Sequence, residues 1–313
     1  MADPIKVLIA DEMSKKAVDL LSGAGFQVDV KTGMKPEELA AVVGQYHGLG
    51  VRSASKVTAA VLANPGKLKI IGRAGVGVDN IDVKAATEKG ILVINTPQGN
   101  AAAAAELAIG LMFALARKIP GADASMKRGE WEKKKFMGVE IAGKTLGVVG
   151  LGNIGRNAAQ RGVGLGMNVI GFDPHPPKEL PAGVKLVSLD DVITKSDFVT
   201  LHVPLTDGTK NLFNADTFAK MKKGSFLINC ARGGIVDESA VLAALESGQL
   251  AGAALDVFGK EPPVPAPLFN HDNVIFSPHL GASTKEAQEK VAIELAEVFI
   301  GFLKDGVVKN AVK

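Results

Sequence analysis

Short apolar runs alternate with longer segments of helical periodicity along the whole chain. Residues 5–10 (IKVLIA) form the first run, nearly unbroken, as expected for a strand buried on both faces of a parallel sheet. Ser14 is placed to cap a helix that runs through Leu21 and stops at Gly23 and Gly25. Residues 26–30 predict a second strand, and Pro36-Glu37-Glu38 opens a second helix with proline in the first turn and acids behind it. Further strands are predicted at 48–51, 68–71 and 91–94, with helices at 57–63 and 82–89. This first unit ends near Thr96-Pro97-Gln98-Gly99.

Residues 101–116 are rich in alanine and leucine and apolar over much of the circumference, so this helix should be buried on several sides, as a joint between domains or against a second subunit. Residues 125–138 are basic and contain the sole tryptophan, Trp131; they read equally as a surface loop or as an arm reaching a partner subunit. Strands then recur at 147–150, 168–172, 185–187, 197–202, 225–229, 252–257 and 274–277, with a clear helix at 238–247. The last long amphipathic segment, 284–302, has no place in that second unit and is expected to cross back and complete the first. The fold class is therefore α/β: two doubly wound parallel-sheet domains, Rossmann- or flavodoxin-like, with a cleft between them. The expected boundaries are 1–97 plus 284–313 for one domain and 98–283 for the other.

One turn stands out. Gly150-Leu151-Gly152-Asn153-Ile154-Gly155 follows the apolar run 145–149 and opens a helical segment, and Asp173 closes the next strand. A lone G-x-G-x-x-G is weak, but strand, turn, helix, strand and acid together describe a dinucleotide site. Gly150 permits the tight turn, Gly152 lets the backbone approach a pyrophosphate, and Gly155 lets helix and strand pack closely. The pyrophosphate would sit at the helix N-terminus, where free N–H groups and the macrodipole favour an anion. Asp173 would accept hydrogen bonds from the adenosine ribose and repel a 2′-phosphate. The following Pro174-His175-Pro176-Pro177 offers only His175 as a positive contact, so NAD is expected over NADP.

Composition narrows the class. The 313 residues suit two domains, and 47% hydrophobic with 22% charged residues fits a globular protein with large cores. A net charge of +3 and the absence of a long basic block argue against nucleic acid as a partner. One cysteine, Cys230, excludes an internal disulfide and fits a reducing compartment. No apolar stretch reaches membrane-spanning length and no leader pattern opens the chain, so a cytoplasmic enzyme is expected. No metal site is expected.

Ligands in open α/β sheets bind beyond the carboxyl ends of the strands. Three chemically capable residues follow strands there: Arg232 after 225–229, Glu261 after 252–257, and His279 after 274–277. The other histidines read as bland: His47 and His271 as surface or turn residues, His202 as structural. His279 could take the hydroxyl proton as hydride leaves the adjacent carbon, Glu261 could orient its ring, and Arg232 could clamp a carboxylate bidentately. The set suits a 2-hydroxy acid. In the first unit, Arg73-Ala74-Gly75-Val76-Gly77 offers backbone N–H groups as a nest for a substrate carboxylate. Arg52 and Ser53 could hold a second anionic group such as a phosphate, with Lys135 a weaker candidate and Asn100 a further substrate contact.

These residues resemble the D-isomer-specific 2-hydroxyacid dehydrogenase family over nearly the whole chain. The pieces that carry the likeness are residues 72–82, 133–138 (KKKFMG), 150–155, 229–238 (NCARGGIVDE), 253–263 and 277–288 (SPHLGASTKEAQ). Within the family they point to 3-phospho-D-glycerate as substrate, oxidised with NAD to 3-phosphohydroxypyruvate at the entry to L-serine. The resemblance implies Arg232, Glu261 and His279 as catalytic. Around the cofactor it implies Val76, Gly150, Gly152, Asn153, Ile154, Gly155, Asp173, Val203, Pro204, Cys230, Ala231, Arg232, Asp256, His279, Gly281 and Ala282. It also implies a homodimer or homotetramer through the 101–116 helix and the arm after it.

This chain departs from the family in places. Asn153 stands where many relatives have arginine, Val76 and Val203 where threonine is frequent, and Ala101 and Ala103 where serine is common, which would weaken side-chain contacts to NAD while sparing the backbone ones. The sequence stops at Lys313, so feedback through a C-terminal amino-acid-binding regulatory domain is not expected. Two other functions remain open: a hydroxypyruvate/glyoxylate or D-lactate-type reductase on the same fold, and a non-catalytic NAD(H)-sensing binding protein like the corepressors that share it.

Overall fold

The computed structural model describes residues 3–312. Strand β1 (Lys6–Ile9) leads through α1 (Lys15–Gly23) to β2 (Gln27–Val30), then through α2 (Pro36–Val42) to β3 (Gly48–Val51). Strand β4 (Ile70–Arg73), helix α3 (Val83–Glu88) and strand β5 (Leu92–Asn95) follow. The five strands are parallel in the order β2-β1-β3-β4-β5, the flavodoxin-like order. Their side chains Leu8, Leu49 and Ile71 are fully buried on one face, and Val7, Ile9 and Ile70 on the other, which explains the unbroken apolar runs.

Helix α4 (Ala101–Ala116) and α5 (Ile119–Lys127) precede the second sheet. Its strands are β6 (Thr145–Val149), β7 (Asn168–Phe172), β8 (Val184–Leu186), β9 (Phe198–Leu201), β10 (Ser225–Asn229), β11 (Leu250–Leu255) and β12 (Val274–Phe276). Helices α6 (Asn153–Gly164), α7 (Leu189–Lys195), α8 (Ala215–Lys220) and α9 (Glu238–Glu246) connect them. All neighbours are parallel, in the order β12-β11-β10-β9-β6-β7-β8. The order reverses at β6 and β9, so ligands are expected beyond the carboxyl ends of that pair. Helix α4 closes one face, where Ala108, Leu111, Met112 and Leu115 join Leu146, Val148 and Ile228 in one core.

The last helix, α10 (Lys285–Asp305), returns to the first sheet, where Val291, Leu295 and Phe299 pack with Val7, Ile9, Ile70 and Leu21. Chain contacts divide the molecule into Met1–Ala101 with Ala282–Lys313 and Ala102–Gly281. No helix among the described residues is long and apolar enough to cross a membrane.

Several elements differ from their sequence-based expectation. Residues 57–63 are a bridge residue followed by a turn, not a helix: Val57 pairs with Ile81, its N–H donating to Asn80 and its carbonyl accepting from Asp82. Only one helical turn fits before Pro65. Ser14 stands at the N-cap of α1 but makes no side-chain cap bond; its carbonyl serves the helix instead. Strand β11 lies two residues earlier than predicted, which places Asp256 just past its end. Part of the basic excursion is helical, as α5.

Candidate active site

The glycine turn joins β6 to α6. Gly150 has φ +94, and a Cβ there would lie 2.5 Å from the His202 carbonyl oxygen at the end of β9. Gly155 is tighter: its Cβ would meet the Gly150 carbonyl oxygen at 1.8 Å. Both glycines are required by the protein itself. Gly152 is different, because a Cβ there would meet nothing within 4 Å. It stands at the N-cap of α6 and makes no side-chain cap bond, at a helix N-terminus whose dipole favours an anion. Asp173 braces the turn: Oδ2 accepts from the Leu151 N–H at 2.7 Å and Oδ1 from the His175 N–H at 2.8 Å. Each oxygen keeps a second acceptor site. Asn153 accepts from Arg156 Nη2 at 2.9 Å, which brings a guanidinium beside the position where arginine was expected.

The His202 side chain is buried at this edge. Its Nε2 lies 2.9 Å from Thr200 Oγ1, and burial pushes its pKa down to about 4, so it is neutral near pH 7 and fills the structural role expected of it. His47 and His271 each accept a backbone N–H through Nδ1 and are likewise structural.

Arg232, Glu261 and His279 lie beyond the ends of the adjacent strands β10, β11 and β12. His279 Nδ1 is 2.7 Å from Glu261 Oε2. An ionised carboxylate only accepts, so Nδ1 donates and Nε2 is left as the basic nitrogen. Glu261 Oε1 accepts from the Phe258 N–H at 3.1 Å. Asn229 shapes the arginine loop: its Oδ1 accepts from Ala231 N–H and its Nδ2 donates to the Arg232 carbonyl, each at 3.0 Å. Arg232 Nη1 donates to the Ala231 carbonyl at 2.6 Å.

Asp256, grouped with the cofactor contacts in the sequence, is fully buried. Its Oδ1 accepts from Ser277 Oγ and Leu280 N–H at 2.6 and 2.7 Å, and its Oδ2 from Gly281 N–H at 2.9 Å. Its backbone carbonyl takes the His279 N–H. The carboxylate thus holds the loop that carries His279, which sits at a left-handed φ of 54. Cys230 is buried, and burial together with Asp256 pushes its thiol pKa upward, so it is an inert wall and not a nucleophile.

In the first unit the nest is narrower than the three glycines suggested. The Gly75 N–H is taken by Thr96 Oγ1 at 2.7 Å, and Arg73 turns back onto the Gly77 carbonyl and Asp79. Arg73 therefore shapes its own loop. The loop of Arg52 and Ser53 is built by two residues to which the sequence reading gave no role. Buried Asp11 accepts from the Arg52 and Ser55 N–H groups, and Asn80 Nδ2 donates to the Arg52 and Ser55 carbonyls. Asn100 is buried. Lys135 is exposed beside Glu132, in the other unit from Arg52. Among the described residues no cluster could hold a metal ion.

The description "D-isomer specific 2-hydroxyacid dehydrogenase, NAD binding domain" matches residues 109–281, more than half of the sequence. The chain belongs to the D-isomer specific 2-hydroxyacid dehydrogenases. It is 54% identical over 301 residues to a D-3-phosphoglycerate dehydrogenase of Pongo abelii, covering 96% of this chain and 56% of that protein. It is 51% identical over 311 residues to one of Archaeoglobus fulgidus, covering 98% and 59%. The chain thus spans little more than half the length of these relatives. A crystal structure of a glyoxylate reductase from Paecilomyes thermophila superposes with a TM-score of 0.91 at 31% identity, over 100% of this chain and 99% of that one. NAD fits the second unit on its own geometry: open space over Gly152, a helix N-terminus directly after the glycine turn, and an acid at the end of β7.

Proposed function

We propose that this chain oxidises 3-phospho-D-glycerate to 3-phosphohydroxypyruvate with NAD, at the entry to L-serine. The observation that carries the reading is the His279–Glu261 pair at 2.7 Å, beyond the strand ends next to the Arg232 loop. The identity to relatives named D-3-phosphoglycerate dehydrogenase supports the substrate.

NAD, when bound, supplies the hydride acceptor; Gly150, Gly152, Ile154 and Gly155 hold its pyrophosphate and Asp173 its ribose. His279 Nε2 takes the 2-hydroxyl proton as the C2 hydrogen leaves with its electron pair, and Glu261 balances the charge gained by the ring. Arg232 clamps the substrate carboxylate and polarises the adjacent oxygen. Arg52 and Ser53 are the proposed phosphate ligands and the Val76 and Gly77 amides the proposed carboxylate ligands, which makes the first unit the substrate-binding domain. We assign the enzyme to the cytoplasm. A homodimer or homotetramer is proposed through α4 and the arm after it, in which Trp131 and Met137 are 80% and 78% exposed.

The test is NADH formation from 3-phospho-D-glycerate by the wild type and by His279→Ala. Activity in the wild type, lost in the variant with NADH binding retained, is expected. Turnover of glyoxylate, glycerate or D-lactate in preference to the phosphorylated acid would favour the reductase suggested by the structural likeness. In Arg52→Ala, the KM for 3-phosphoglycerate should rise about tenfold or more, with glycerate turnover unchanged.

A further inference from the structure

We infer that Glu238 is a positioning residue for the Glu261–His279 pair; the inference rests on the catalytic reading of that pair given above. Glu238 is the first residue of α9, and its backbone is fixed by the Asp237 cap, whose side chain accepts from Ser239 and Ala240 N–H. Its Oε1 accepts the Gly259 N–H at 2.9 Å. The neighbouring Phe258 N–H donates to Glu261, and Glu261 in turn engages His279. A continuous line of bonds therefore runs from the helix that follows the arginine loop to the ring of the histidine.

The segment needs such an anchor. Residues 259–265 read Gly-Lys-Glu-Pro-Pro-Val-Pro, so three of the seven positions have no backbone donor. The segment is largely exposed and belongs to no helix or strand. Among the described residues, three bonds tie it to the rest of the unit: Gly259 N–H to Glu238, Phe258 N–H to Glu261, and Glu261 to His279. From the same loop as Arg232, Gly233 presses on this segment: a Cβ there would lie 1.8 Å from the Phe258 carbonyl oxygen. Glu238 and Gly233 both meet the 258–259 peptide, one through its bond and the other by close approach. Without the Glu238 bond, the prolines keep the segment stiff but do not fix where it points.

The test uses the full-length protein with Glu238→Ala, Glu238→Gln, Glu261→Ala and the double alanine variant. Glu238→Ala should lower kcat about tenfold, the scale on which misplacement of a catalytic group acts. The KM for NAD should stay unchanged, and the isotope effect from deuterium at C2 should rise as the chemical step becomes limiting. Glu238→Gln keeps a carbonyl oxygen as acceptor and should restore most of the rate. The double variant should be no slower than Glu261→Ala, because both changes act on one group. Gly259→Pro, which removes the donor from the other side, should reproduce the loss should Glu238→Ala fold poorly. Wild-type kcat in Glu238→Ala, additive losses in the double variant, or failure of glutamine to rescue would overturn the inference while leaving the catalytic reading intact. An unimpaired Glu261→Ala would overturn both.

Discussion

The glycines of the nucleotide turn make opposite predictions, and the contrast separates folding from ligand binding. Gly155→Ala places a methyl 1.8 Å from the Gly150 carbonyl oxygen and 2.9 Å from its carbon, both backbone atoms. Neither can swing aside, because Gly150 N–H is bonded to Phe172 and Leu151 N–H to Asp173, each at 2.7 Å. Relief requires the helix to retreat by more than an ångström from a close-packed core, so the cost should be about 3 kcal/mol, the upper end for overpacking. Gly152→Ala meets no atom within 4 Å and keeps a backbone of φ −64 and ψ −164, which alanine adopts freely. Restricting the unfolded chain should even stabilise it, by about 0.5 kcal/mol. Its methyl instead enters the space that the pyrophosphate needs, so NADH affinity should fall about tenfold or more, at least about 1.4 kcal/mol. Thermal unfolding by circular dichroism and titration of NADH fluorescence read the two effects independently. A Gly152→Ala protein that binds NADH like the wild type would refute the placement of the pyrophosphate. A Gly155→Ala protein of wild-type stability would refute the packing argument.

Three further outcomes follow from the same geometry. His202 has its pKa pushed by burial from 6.5 to about 4. As pH falls, the unfolded chain protonates first, so its contribution is full above about pH 6.5 and lost progressively down to about pH 4, at most about 3 kcal/mol. Denaturant midpoints across that window should fall less steeply for His202→Asn than for the wild type, and equal slopes would contradict the assignment. Asp256→Asn turns one of the two acceptor oxygens into a donor facing Ser277, Leu280 or Gly281, so it should lose about 1–3 kcal/mol of stability and slow turnover through the His279 loop. Trp131→Glu combined with Met137→Glu should shift sedimentation toward the monomer without altering the unfolding midpoint of the second sheet; an unchanged mass would remove the arm from the proposed interface.

The strands were legible because parallel sheets covered on both faces demand uninterrupted apolar runs, and Leu8, Leu49, Ile71, Val148 and Ile228 are all inaccessible. The same reasoning failed at 57–63, where burial of Val57, Val61 and Leu62 mimics an amphipathic helix although the backbone of Val57 is committed to pairing with Asn80 and Asp82. Periodicity reports which side chains are buried, not which acceptor a backbone N–H has found. That distinction also decides what was visible at the candidate site. Arg232, Glu261 and His279 stood out since each is a reactive side chain just past a strand end. Asp11, Thr96 and Glu238 did not, because their roles lie in bonds across 44, 21 and 21 positions of sequence.

Asp256 shows why such residues matter more than their spacing suggests. A buried carboxylate left unpaired costs several kcal/mol, so its three donors are fixed by its own requirement for partners. Those donors are Ser277, Leu280 and Gly281, which flank His279 on both sides. The ring position then follows from where β11 ends and not from any preference of the histidine loop, whose left-handed residue and terminal glycine give it little rigidity alone. A strand end and a buried acid thus set the histidine, and the helix-borne Glu238 its carboxylate.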